Sequence, residues 1–134
     1  MQLDIKEQSL ILEGKKDSRK ELMSLSANAT GDNTSSFLLD LYRFLADWFS
    51  DSPFMTVHTS GSTGTPKVLT VRKEQMMQSA RMTCEFLNLH TGDTALLCMP
   101  LQYIAGKMMV VRALVAGLNL ILRTPSGHPL ADVT

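Results

Sequence analysis

Apolar residues recur at helical spacing in two stretches before the chain turns almost wholly apolar. Phe37, Leu41, Leu45 and Trp48, joined by Leu38, Tyr42 and Phe49, mark one face of a first helix. Thr34 or Ser35 stands where a hydroxyl caps a first turn, and Ser52-Pro53 ends the pattern. Met77, Ala80, Cys84 and Leu87 predict a second amphipathic helix near residues 73–88. Residues 104–116 are apolar nearly all round, which predicts a helix packed inside a larger body, and Gly117 stops it. Between these lie short apolar or β-branched runs at 54–58, 68–71, 94–99 and 118–122, each read as a strand. Strand, helix, strand with short joints over 94–122 is a βαβ unit, so the fold class is α/β with parallel pairing.

The lead segment, residues 1–36, is polar and holds eleven charges, six acidic and five basic. Ser9 to Glu13 reads as one short strand, Lys15 to Glu21 as a solvated charge run, and Ser24 to Ser36 as a polar loop. A nearly all-apolar helix at 104–116 is more than so small a chain is expected to cover. That predicts self-association of the isolated chain through the uncovered faces.

Composition narrows the function. With 134 residues, 44% of them apolar, the chain fits one domain with a genuine core. Thirteen basic and thirteen acidic side chains leave no net charge, so no bulk field favours nucleic acid or an anionic membrane. The first residues are too charged for a secretory leader. The apolar stretch from Ala95 to Leu122 is broken by Pro100, Lys107 and Arg112, short of the ~20 consecutive apolar residues of a membrane span. A soluble cytoplasmic protein is expected. Cys84 and Cys98 have no ligand at metal-binding spacing and read as free thiols, with no metal site predicted. The nine methionines read as core filling and plain surface.

The sharpest chemical signal is Thr59-Ser60-Gly61-Ser62-Thr63-Gly64-Thr65-Pro66-Lys67. Its glycines let the backbone come close to a ligand, and successive N–H groups and hydroxyls can converge on an anion. Lys67 adds a full positive charge at the rim. A Gly/Ser linker has a similar composition, but strand-like runs on both sides argue for a pinned loop. The Walker pattern does not fit, because Pro66 stands where its second glycine belongs and Val68 where its Ser or Thr belongs. A strand, not a helix, follows. Hydroxyls, amides and Lys67 must therefore hold the phosphates.

The segment from His58 to Lys67 resembles the signature loop of the adenylate-forming superfamily, which includes acyl-CoA synthetases. Leu89-His90-Thr91-Gly92-Asp93 followed by Leu97 resembles that family's "L-x-x-G-D" entry to a strand. Pro100-Leu101-Gln102-Tyr103-Ile104-Ala105-Gly106 resembles its "P-L-x-H-x-x-G" segment, with Tyr103 in the His or aromatic place. The resemblance spans roughly residues 54–123, and only the loop is highly specific. The short lead and the compact segment running on through Lys107 and Met108 look most like the o-succinylbenzoate–CoA ligases of menaquinone synthesis. A generic acyl- or aryl-acid ligase is the alternative within the class.

The resemblance implies an ATP- and Mg2+-dependent reaction in which a small carboxylic acid is adenylated and then passed to coenzyme A. Thr59, Ser60, Gly61, Ser62, Thr63, Gly64 and Lys67 would bind the β- and γ-phosphates, with Lys67 as the catalytic charge partner. Tyr103 and Gly106 would line the acyl pocket. Lys107 or Arg112 could neutralise a second substrate carboxylate or simply reach the surface, the latter being expected. His58, His90 and His128 default to structural roles. The family's later motifs for adenine and ribose and its mobile C-terminal domain are not found here. Residues 1–134 thus read as the N-terminal part of such an enzyme, inactive alone. Two readings from other classes stay open, a phosphate- or nucleotide-binding module without chemistry and an interaction domain with a mobile loop.

Overall fold

The computed structural model describes residues 1–32, 34–59 and 67–123. A single 3-10 turn (Ile5–Glu7) leads into strands β1 (Ser9–Leu12) and β2 (Lys15–Ser18) and helices α1 (Arg19–Asn28) and α2 (Ser36–Trp48). Strands β3 (Phe54–Thr59) and β4 (Lys67–Arg72), helix α3 (Lys73–Phe86), strand β5 (Thr94–Leu97), helix α4 (Ile104–Ala116) and strand β6 (Asn119–Leu122) follow.

The βαβ unit forms as its pattern predicts. β5 and β6 pair in parallel with Ala95 opposite Leu120 and Leu97 opposite Leu122, and α4 makes the crossover. Gly117 ends α4 with φ at 70°, the left-handed geometry that glycine takes without a Cβ penalty. β6 also pairs in parallel with β1, giving a four-stranded sheet in the order β2-β1-β6-β5. β3 and β4 form a separate antiparallel pair. The fold class is α/β with parallel pairing, as expected. β5 stops at Leu97, two residues short of the expected end, because the chain turns into Pro100.

The lead segment is more ordered than its charges suggest. The run from Lys15 to Glu21 is solvated as expected, with only Asp17 buried, but it is regular structure: its first four residues are β2 and the rest begin α1. Glu13 and Gly14 both carry positive φ, at 51° and 85°, and so turn β1 back onto β2 within two residues. Asp17 is buried, 3.7 Å from the Lys15 ammonium. Ser18 then opens α1 with a capping box. The Glu21 N–H donates to the Ser18 hydroxyl at 3.3 Å, and the Ser18 N–H donates to the Glu21 carboxylate at 3.0 Å. Residues 24–28, read from the sequence as loop, are the last part of α1. Of the two candidate caps for α2, Ser35 is the one that caps, its hydroxyl accepting the Leu38 N–H at 3.3 Å.

The chain buries α4 itself. α3 packs on one side of it and β1, β5 and β6 on the other. From Met108 to Ala116 only Met109 and Arg112 reach partial exposure. Among the described residues of α4 only Ala105 is exposed, so the apolar face on which self-association was expected is largely covered. The exposed large apolar side chains lie elsewhere, among them Phe54, Val68 and Leu69 on the β3–β4 pair and Met82, Phe86 and Leu87 on and just after α3. Cys84 is buried and Cys98 half-buried, both as free thiols, and burial pushes the Cys84 thiol up against the opposing pull of Arg112. Among the described residues no helix is long and apolar enough to cross a membrane.

Candidate functional site

The Gly- and hydroxyl-rich motif falls between the paired ends of β3 and β4. Six residue pairs run in register from Phe54–Arg72 at the base to Thr59–Lys67 at the tip. Ser60, Gly61, Ser62, Thr63 and Gly64 lie outside the described residues. The backbones of Thr59 and Lys67 are thus the two posts from which the loop is hung. Lys67 is exposed.

Alternation along β3 fixes the hairpin to the body. Met55 and Val57 point into the core and are buried, while Thr56 and His58 take the other face. The base is closed by Lys73, whose backbone N–H donates to the Pro53 carbonyl at 2.8 Å. The Lys73 side chain is 2% exposed, and its ammonium donates to the carbonyls of Asp47 at 2.8 Å and Ser50 at 3.1 Å and to the Ser50 hydroxyl at 3.3 Å. These are acceptors at the C-terminal end of α2, where a cation also meets the negative end of the helix dipole. Burial lowers the Lys73 ammonium below its ordinary range, with Asp47 and Asp51 pulling the other way. No local pattern in the sequence singles out Lys73. Its role depends on where α2 ends in space.

The second motif sits beside the hairpin tip. Tyr103 forms a parallel bridge with His58, so the "P-L-x-H-x-x-G"-like segment lies alongside the last residues of β3. Tyr103 is half-buried and opens α4, its N–H donating to the Pro100 carbonyl at 3.3 Å and its carbonyl accepting the Lys107 N–H at 3.2 Å. Gly106 is buried against the same carbonyl. A Cβ there would collide with Pro100 O and stand 3.0 Å from the Pro100 carbonyl carbon and 3.1 Å from Met99 O. The structure thereby gives Gly106 a packing reason of its own, as the residue that lets α4 start directly against the turn.

Lys107 and Arg112 part company. The Lys107 ammonium donates to the Leu101 carbonyl and lies 5.8 Å from the centre of the Phe44 ring. Burial lowers its pKa, opposed by the carboxylates of Asp47 and Asp40. It lines a cavity of about 350 Å³ between α2, β3 and the turn before α4, shared with Asp40, Arg43, Asp47, His58 and Gln102. Arg112 lies on the α3 side of α4, near enough to Cys84 to act on its thiol, with its Nε buried. The larger cavity, about 630 Å³, lies at the base of the hairpin beside Ser52, Arg72 and Lys73, at the opposite end from the loop.

The structure therefore brings together Thr59, Lys67, His58 and Tyr103, sets Gly106 behind them in a packing position, and puts Lys107 in the adjoining cavity. Sequence reasoning missed Lys73 and Gln8. The latter is buried and links the Gln2 carbonyl, Trp48 and Met77.

Residues 2–134 match the family described as AMP-binding enzyme. A 2-succinylbenzoate–CoA ligase of Enterococcus faecalis is 39% identical over 66 residues, covering 49% of this chain and 14% of that protein. One of Haemophilus influenzae is 30% identical over 82 residues, covering 61% of this chain and 18% of that protein. The chain thus matches less than a fifth of the length of either ligase. Among solved structures, an acyl-CoA synthetase (AMP-forming)/AMP-acid ligase II-like protein from Dyadobacter fermentans superposes with a TM-score of 0.69 at 36% identity, covering 81% of this chain and 31% of that one. With the hairpin, the bridged Tyr103 segment and the βαβ core all in place, the chain belongs to the AMP-binding enzyme family.

Proposed function

We propose that this chain supplies the triphosphate-holding part of an ATP-dependent acid–CoA ligase whose acid is 2-succinylbenzoate. The observation that carries the reading is the hairpin tip, where Thr59 and Lys67 face each other and the bridge from His58 sets Tyr103 beside them. In the first step the substrate carboxylate attacks the α-phosphorus of ATP, forming the acyl-adenylate and releasing pyrophosphate. In the second the coenzyme A thiol attacks the acyl carbon and AMP departs. Negative charge builds on the departing pyrophosphate in the first step only, and preorganised donors lower that barrier. Loop amides and hydroxyls from Ser60 to Gly64, with the Thr59 hydroxyl and Lys67, are assigned to those oxygens. Tyr103 is assigned to the acid.

Among the described residues no three His, Cys, Asp or Glu side chains come together to hold a metal ion. Mg2+ fits as an ion carried in on phosphate oxygens and water, its usual mode with nucleotides. Contacts to adenine and ribose are assigned to polypeptide other than these residues. The reaction draws on cytoplasmic ATP and coenzyme A.

The test is a graft. Residues 54–123 replace the matching stretch of the Enterococcus ligase, and ATP–pyrophosphate exchange is followed with and without 2-succinylbenzoate. Exchange that depends on this acid is expected. Exchange with simple aryl or fatty acids instead would move the substrate elsewhere in the class, and ATP binding without any exchange would make the segment a nucleotide-holding module.

A further inference from the structure

The outer edge of β4 is open. Among the described residues β4 pairs only with β3, whose far side is met at its tip by Tyr103. Successive side chains of a strand point to opposite faces. Val68 and Leu69 are 62% and 44% exposed, so β4 is wet on both faces as well as along its edge. A six-residue strand of Lys-Val-Leu-Thr-Val-Arg is rich in residues that favour pairing. Edges are usually blunted by inward charges, proline or a bulge, and the four central residues of β4 carry none of the first two.

Charge decides what can sit there. Lys67 and Arg72 stand at the two ends of the strand, and both are positive. A second copy pairing antiparallel about the middle of β4 would set Lys67 opposite Arg72, and parallel in-register pairing would set each against itself. Like charges directly opposite destabilise a pair. We infer that, while no triphosphate occupies Lys67, the open edge of β4 is a docking site for an extended strand of another polypeptide with an apolar or β-branched middle and a carboxylate side chain at each end. Backbone N–H and C=O groups supply the attraction and the terminal carboxylates set the choice of partner.

The probe is a blocked hexapeptide, acetyl-Glu-Val-Thr-Val-Thr-Glu-amide, with a lysine-ended version of the same middle as control. Both are titrated into the 15N-labelled 134-residue chain at low salt. The acid-ended peptide is expected to shift and protect the amides of residues 67–72 and to bind at least tenfold more tightly than the lysine-ended one. In a Lys67→Glu/Arg72→Glu chain, shown to be folded by circular dichroism, the order of the two peptides reverses. A neutral Lys67→Ser/Arg72→Ser chain binds both alike, which keeps the test valid if the reversed chain misfolds. Equal binding of both peptides to the unmodified chain, shifts that map away from β4, no binding at millimolar peptide, or a dimer that protects β4 without peptide would each overturn the proposal.

Discussion

The indole N–H of Trp48 donates to the side-chain oxygen of Gln8 at 2.8 Å, and both side chains are sealed from solvent. The Gln8 amide in turn donates to the Gln2 carbonyl at 3.0 Å and to the Met77 sulfur at 3.4 Å. One side chain thus ties the N-terminal segment to α2 and α3. Gln8→Leu leaves the indole N–H buried and unpaired, which costs about 1–3 kcal/mol. The urea midpoint should fall accordingly, and Gln8→Leu combined with Trp48→Phe should recover part of the loss by removing the orphaned donor.

Gly106→Ala forces a Cβ onto the Pro100 carbonyl, which is backbone and cannot swing aside. Overpacking of this kind costs about 1–3 kcal/mol or more. The start of α4 should shift, carrying Tyr103 away from His58. Gly31→Ala, with nothing within 4 Å of its added carbon, is the control and should leave the midpoint nearly unchanged. Thermal melts of the two variants check the contrast.

The α1 capping box titrates. Bonds from the Ser18 backbone and side chain hold the Glu21 carboxyl below its ordinary range. A lowered carboxylate pKa contributes stability that is present above the unfolded value and lost as pH falls through the folded one. Unfolding followed from pH 7 downward should show this loss below about pH 4.5, the ordinary value. Ser18→Ala should cost about 1 kcal/mol at neutral pH, the usual worth of an N-cap. It should also make that part of the acid profile shallower, while the bond from the Ser18 backbone N–H keeps the rest.

Lys67→Ala in the grafted ligase should strike one half-reaction. Losing a hydrogen bond to a charged group costs about 1.5–3 kcal/mol, roughly a 10- to 100-fold slowing of pyrophosphate exchange at 1.36 kcal/mol per decade. Thiolysis of preformed acyl-adenylate should hold its rate, because pyrophosphate has already left. Equal losses in both half-reactions would make Lys67 a structural residue.

Short-range chemistry was readable along the chain. The spacing of Phe37, Leu41, Leu45 and Trp48 gave α2 and its buried face, and Gly117 gave the end of α4. The Ser18-to-Glu21 spacing of a capping box was also present, but the surrounding lysines masked it and α1 was read as polar chain. What could not be read is whatever depends on distant partners. α4 reads as too apolar to cover, yet α3 and four strands pack against it. Lys73 looks like a surface lysine until the end of α2 arrives beside it. Gly106 looks like part of a substrate motif, and its need for a missing side chain shows only once Pro100 is placed.

The pairing of β1 with β6 bears on how the protein is made. β1 leaves the ribosome well before its inner neighbour β6 has been made. The Glu13 carboxylate that accepts the Leu122 N–H lies 109 positions away from it. Until then β1 has only its hairpin with β2, and an isolated hairpin is marginal in water. Contacts of such long sequence separation are slow to close. During synthesis the N-terminal strands must wait with one edge unpaired, and the cooperative core closes only when Asn119 to Leu122 emerge. A pause in translation before that point would prolong the interval in which a chaperone, or another nascent copy, can meet the bare edge of β1.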